Sequence, residues 1–273
     1  MRICRTWEST TWAELLACFL VVVASVGCFA SESHGQEFRI ETEVFADSDR
    51  VIAKSLTLFD GKMTYDFLMT GNEADAEPSR FSVEEVVVFD QTKQRIVLLD
   101  QHKQQRLELG HSEVLSLVAG MQSNEALRAR DEFLLEPKLT ESFDTQSLQL
   151  ELASPRLTYR VSGQQVADAQ VLAHYYQFAD WAARLNATDS RKLPPFARLQ
   201  LNLAMKRRAW IPTEVNFELS SLDGHQIKAT AKHHTLFQLS SNDQQRIASV
   251  RKQLAEFPSV SLSRYRNLTT ASQ

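Results

Sequence analysis

Residues 85–100 read EVVVFDQTKQRIVLLD. Two apolar runs, Glu85 to Asp90 and Arg95 to Asp100, flank the polar loop Gln91-Thr92-Lys93-Gln94. Strand-length apolar runs joined by so short a loop form a hairpin, because a parallel crossover needs roughly a dozen residues or more. The chain on either side repeats this arrangement. Phe38, Ile40, Thr42 and Val44 alternate with Arg39, Glu41 and Glu43, the period-2 pattern of a half-buried strand. Ser55 to Met69 is broken at Asp60-Gly61, a dipeptide suited to a tight turn, and Met63, Tyr65, Phe67 and Met69 beyond it share a face. Gly71 to Ser79 (GNEADAEPS) reads as a polar loop, and Arg106 to Leu109 as a further short strand.

Helices follow. Ser112 is a candidate N-cap for a helix with an apolar stripe at Val114, Leu115, Leu117, Val118 and Met121, continuing in broken form to Leu135 before Pro137. Leu148, Leu150 and Leu152, then Leu157, Tyr159 and Val161, form two alternating strands about Ser154-Pro155. Ala167 to Asn186 and Phe196 to Arg208 are helical, the second opened by Pro194-Pro195. Val215, Phe217 and Leu219 lead through Asp223-Gly224 into a strand from Gln226 to Leu236. Ser241 caps a helix carrying Ile247, Val250 and Leu254 and ending at Pro258, after which Val260, Leu262 and Tyr265 suggest one more edge strand. The expectation is nine or ten strands and about four helices. The fold class is α+β, with a curled, mainly antiparallel sheet and a single domain over residues 31–273.

Composition agrees with a globular chain. Its 273 residues are 43% hydrophobic, and 30 Lys+Arg against 34 Asp+Glu give a net charge of -4. That balance argues against a nucleic-acid binder, which needs a positive surface to displace counterions. Met1 to Ala30 reads as a signal peptide: Arg2 and Arg5 precede the run LLACFLVVVASVGCFA, with small residues before a cleavage point after Ala30. The expected location is therefore outside the cytoplasm, periplasmic or extracellular. Cys4, Cys18 and Cys28 all fall in this segment, so cleavage there leaves no thiol, disulfide or thiolate metal site. A competing reading takes Ser25-Val26-Gly27-Cys28 as a loose lipobox, with Cys28 as a lipidation site that tethers the protein to the outer membrane.

Leu58 to Tyr65 (LFDGKMTY), Val87 to Leu99 (VVFDQTKQRIVLL), and Ile211 to Leu219 (IPTEVNFEL) followed by Asp223-Gly224 occur in an exported chain that opens with a meander and then inserts helices between strands. In element order this resembles the bacterial lipoprotein carriers of the LolA/LolB type. The resemblance implies an incomplete antiparallel barrel capped by helices, with an acyl chain held in its hollow. It transfers no individual functional residue.

The residues identify no chemistry. There is no G-x-S-x-G, H-E-x-x-H, S-x-x-K, G-x-G-x-x-G or G-x-x-x-x-G-K motif, so neither an enzymatic activity nor a cofactor is expected. His225, His233 and His234 cluster in sequence, but neighbours on a strand face opposite ways, and no metal site is expected. The aromatic segment His174 to Trp181 belongs to a helix that packs on the sheet or plugs a hollow. The expected ligand is a lipid or a lipoprotein acyl chain. Its candidate lining is Tyr65, Phe67, Phe89, Leu98, Phe178 and Trp181. A register slip of one residue in any strand would exchange its inward set for the outward one. The alternative is a structural or interaction module of the envelope with a filled core and a protein partner. Lys206 to Arg208 allow peripheral contact with anionic headgroups.

Overall fold

The structure is a computed structural model. It describes residues 37–46, 50–71, 81–189, 192–220 and 226–267. The signal segment with Cys28, most of the acidic loop after Gly71, and the Asp223-Gly224 turn lie outside these residues.

Eleven strands form one open, curled sheet: β1 (Phe38–Phe45), β2 (Val51–Asp60), β3 (Met63–Gly71), β4 (Phe81–Asp90), β5 (Arg95–Asp100), β6 (Gln105–Gly110), β7 (Thr140–Asp144), β8 (Gln149–Ala153), β9 (Leu157–Gln165), β10 (Trp210–Ser220) and β11 (Gln226–Leu236). Their order is β6-β5-β4-β3-β2-β1-β11-β10-β9-β8-β7, and every neighbouring pair is antiparallel. The helices are α1 (His111–Ser123), α2 (Glu125–Leu135), α3 (Ala169–Arg184), α4 (Phe196–Arg207), α5 (Ser241–Glu256) and the short α6 (Leu262–Tyr265). Five of these are eleven residues or longer, against about four expected. The extra helix arises at Asn124, whose side chain accepts from Leu127 N at 2.9 Å and starts α2 anew.

Three hairpins share one turn device. Asp90, Asp100 and Asp144 each accept backbone N–H groups of the turn that follows, from Lys93, from His102 and Lys103, and from Gln146. Gln94, Gln104 and Leu148, four residues after the respective aspartates, take left-handed φ of 49°, 48° and 52° to re-enter the sheet. Gly61 does the equivalent at φ 60° between β2 and β3, where glycine has no steric penalty.

Strand alternation gives the sheet two different faces. On the inner face one rung runs Phe38, Phe59, Thr64, Phe89, Ile96, Leu109 from β1 to β6. Another runs Val161, Val215, Ala231, Val44, Ala53 from β9 to β2. Helices α3 and α4 pack here through Val171, Tyr175, Tyr176, Phe178, Ala197, Leu201, Ala204 and Met205. On the outer face β2 to β5 carry Leu58, Tyr65, Val88 and Val97, then Leu56, Phe67, Val86 and Leu99, covered by Ile247 and Val250 of α5. Elsewhere the outer face is polar: Arg160, for example, reaches Glu151 and Glu218 at 2.8 and 3.1 Å.

The C-terminal segment bridges the two faces. After α5, Arg106 N donates to Pro258 O and Val260 N to Arg106 O, so the chain covers the β6 edge. It then turns into α6 and places Tyr265 in the inner core. The expected final strand is therefore only one parallel bridge, Arg106 with Ser259, followed by a helical turn. Ser261 caps that turn by accepting from Arg264 N, which competes with extension.

Candidate functional site

The inner face is tightly packed at one end of the strands and less buried at the other. In the packed half the Phe38 and Phe59 rings stack at 3.9 Å and 7°, and His174 of α3 stands edge-on to Phe59 at 4.9 Å. Phe178 meets Phe59 at 5.8 Å. His111, the first residue of α1, lies between Phe89 and Trp181, at 5.6 and 3.9 Å.

Toward the other end of the strands the inward rung runs His233, Thr42, Ser55, Leu68, Glu85 across β11, β1, β2, β3 and β4. Asp66 lies one rung nearer the packed half, opposite Thr57. His233, Thr42, Ser55, Asp66 and Leu68 are only half-buried. The half-buried Ala231, Phe217 and Leu172 continue this lining against the core.

Two of these groups touch solvent and are nevertheless strongly desolvated. Burial, with the Thr57 hydroxyl donating at 2.8 Å and Lys192 opposing it only partly, pushes the Asp66 carboxyl up to about 6. Burial, aided by the Arg198 charge, pulls His233 down to about 4. Both groups are therefore shielded from water by surrounding protein on a part of the face that is still partly exposed.

His233 Nδ1 sits 2.9 Å from Thr42 Oγ1, while its Nε2 is buried with no hydrogen-bond partner. Arg198 lies in the first turn of α4. It hydrogen-bonds Tyr175 and acts electrostatically on Tyr159, Tyr176 and His233. Its Nε donates to Asn202 Oδ1 at 3.1 Å, and Asn202 Nδ2 donates to Asp180 Oδ1 at 2.9 Å. The buried Asn202 thereby fixes the guanidinium from behind.

Phe89, Leu98 and Phe178 belong to the inner core, with Trp181 packed against it. Tyr65 and Phe67 do not join them: they lie on the outer face under α5, where Arg251 Nε donates to the Tyr65 hydroxyl at 3.4 Å. The inward residues of β3 are Thr64, Asp66 and Leu68 instead. Hydropathy assigns the apolar alternate residues to the interior, but this strand is covered on both faces, so the rule cannot choose between them. His233 and His234 face opposite ways, as alternation requires. His234 joins a groove of about 500 Å³ in which Arg39, Lys54, Lys232 and Arg246 are mixed with Glu41 and Glu43, and which Thr42, Ser55 and His233 also line. A shallow pocket of about 400 Å³ lies between the end of α2 and α4. Among the described residues no three His, Cys, Asp or Glu side chains converge as a metal site, and no helix is long and apolar enough to cross a membrane.

Asp66→Asn is expected to stabilise the protein at pH 7. The native state holds the Asp66 proton up to about pH 6, above the unfolded value near 3.8, so ionisation penalises the fold as pH rises through that window. The gain should reach roughly 1–3 kcal/mol at pH 7 and vanish below about pH 4, where both states are protonated. Urea midpoints at the two pH values measure it; an equal effect at both would contradict the assignment. His174 and His233, each lowered to about 4, act in the opposite sense and withdraw stability as pH falls from 6.5 toward 4.

No protein-family model and no curated protein matches this chain.

Proposed function

We propose that the protein is an exported, non-enzymatic binding protein that holds the acyl chain of a lipid, or of a lipoprotein, in a recess of the inner face. The observation that carries this reading is the run of half-buried side chains on the inner face, the polar Asp66 and His233 beside the apolar Leu68, Ala231 and Phe217, with Leu172 of α3 packed against the same core. An apolar concavity with a few convergent polar groups is the usual form of a small-ligand site. The open, curled antiparallel sheet with helices on its inner face supports the resemblance to the LolA/LolB-type carriers. Export rests on residues 1–30, and attachment through Cys28 is the competing fate of that segment.

Native mass spectrometry of protein purified from its membrane fraction tests the reading. The expected result is a one-to-one lipid adduct that is lost in Ala231→Trp, which fills the recess. Repeated apo spectra of the folded protein would overturn it. The second reading, an interaction module of the envelope, is favoured by the solid packing around Phe38, Phe59 and His174, and predicts those apo spectra together with a co-purifying protein. The mass of the mature chain also separates cleavage after Ala30 from an acylated Cys28.

A further inference from the structure

We propose that the groove lined by β11, β1, β2, β3 and Arg246 of α5 docks an extended acidic segment of a partner protein, two of whose carboxylates, four residues apart, pair with Arg246 and Lys232. Both cations lie on the outer side of the sheet, and the inference stands or falls separately from the acyl-chain reading.

The groove holds about 500 Å³, within the range of sites that take a discrete ligand. Four cations meet two carboxylates in its lining. Both carboxylates are already engaged: Glu41 pairs with Arg39, which also reaches Asp243 at 2.8 Å, and Glu43 pairs with Lys54 at 2.7 Å. Arg246 and Lys232 remain, and among the described residues neither has a carboxylate within ion-pair distance. On a chain of net charge -4 this positive surplus is local, so it draws an acidic guest to the groove and not to the molecule at large.

Each of these two cations is held over an aromatic ring. The Arg246 guanidinium stands 5.9 Å from the Phe67 centroid, and the Lys232 ammonium 5.1 Å from that of Phe45. Such a contact restrains a long side chain before the guest arrives and lowers the entropy lost on pairing. It also sets the spacing. Phe67 is level with Leu56 and Glu41 across the sheet, and Phe45 lies four residues beyond Glu41 along β1, two strands from β3. At about 4.8 Å per strand and 3.4 Å per residue, the two rings are roughly 16 Å apart. A compact dianion cannot span that distance. An extended chain places residues i and i+4 on one face about 13–14 Å apart, and two glutamate side chains cover the rest. Leu56 and Met69, in the same lining, give the intervening residues an apolar surface to lie on.

Titration calorimetry at low salt, with a capped peptide carrying two glutamates four residues apart on a Gly/Ser spacer, tests this. The peptide is expected to bind about tenfold tighter than its double-glutamine counterpart, as two exposed ion pairs together provide. The preference should vanish near 1 M salt, where the Debye length is about 3 Å. A peptide with the glutamates two residues apart should bind no better than one with a single glutamate. Arg246→Gln and Lys232→Gln should each remove most of the preference. Lys252→Gln, which changes an exposed cation of α5 paired with Glu256 outside the groove, should leave it intact. Equal binding of the glutamate and glutamine peptides, indifference to their spacing, an equal loss in the Lys252 variant, or no binding overturns the inference. Binding that emerges only with Glu73→Gln, Asp75→Asn and Glu77→Gln would make the chain's own acidic loop the occupant, and overturns the partner as well. None of these outcomes touches the lipid adduct, so failure here leaves the acyl-chain reading standing.

Discussion

Replacing Phe59 with alanine is expected to lower the folding free energy by about 3–5 kcal/mol. The ring is fully buried and lies at the junction of sheet and helix. It stacks on Phe38 from the neighbouring strand and meets His174, Phe178 and Tyr175 of α3. Truncation therefore removes apolar area and leaves a cavity bounded by two elements, neither of which can collapse without moving the other. His174 is tied to the sheet by a 3.0 Å contact between its Nε2 and Thr64 Oγ1, so α3 cannot slide freely into the gap. Phe59→Leu keeps most of the volume and should cost much less. Urea unfolding followed by circular dichroism measures both variants, and hydrogen exchange should show the α3 amides losing protection first. A loss below about 1 kcal/mol for the alanine variant would mean that the packed half is not the structural anchor of the inner face.

Much of this architecture was readable from residue pattern because the physics that sets it is local. The hairpin at residues 85–100 is decided by two apolar runs and the shortness of the loop between them. The α3 N-terminus is decided by Asp168, which accepts from Gln170 and Val171 N–H groups. β7 escaped because its five residues are all exposed and carry no alternating apolar signal. Its trace was the turn, where Asp144 and Leu148 repeat the spacing of Asp90 with Gln94 and Asp100 with Gln104. Leu148 read as a strand residue but is the left-handed turn residue instead.

The candidate site was much less legible. Whether Tyr65 or Asp66 faces inward depends on what α5 covers, and that contact joins residues nearly two hundred positions apart. Arg198 belongs to a helix whose buried apolar positions are Ala197, Leu201, Ala204 and Met205, so in sequence it looks like the polar edge of an amphipathic stripe. Only tertiary placement brings it near Tyr175 and His233. Strand alternation did separate His233 from His234, but it could not show that His233 is the more buried of the two.

Arg266→Ala is expected to cost about 3–5 kcal/mol, because it strands the Glu85 carboxylate in a largely buried position. Arg266 Nη1 lies 3.0 Å from Glu85 Oε2, with the two side chains only 11% and 16% exposed. The Tyr265 hydroxyl donates to the same oxygen at 3.0 Å, and Arg266 Nη2 reaches Thr188 Oγ1 at 3.3 Å. The pair is the inner anchor of a segment whose outer part covers the β6 edge through Arg106. Its loss should therefore loosen both the ion pair and the edge. The sign of the coupling separates these effects. If the cost of Arg266→Ala is mainly that of an unpaired buried charge, the double variant Glu85→Leu with Arg266→Met should be more stable than Arg266→Ala alone, since apolar groups of similar volume leave no charge to solvate. If the ion pair instead acts mainly as the pin that holds the strap on β6, the double variant should be as unstable as the single, and the amides of β6 should exchange equally fast in both. Denaturant unfolding of the single and double variants distinguishes the two. We expect the first outcome, because the paired backbone hydrogen bonds of Arg106 with Pro258 and Val260, and the buried Tyr265 ring, hold the strap in place independently of the charge.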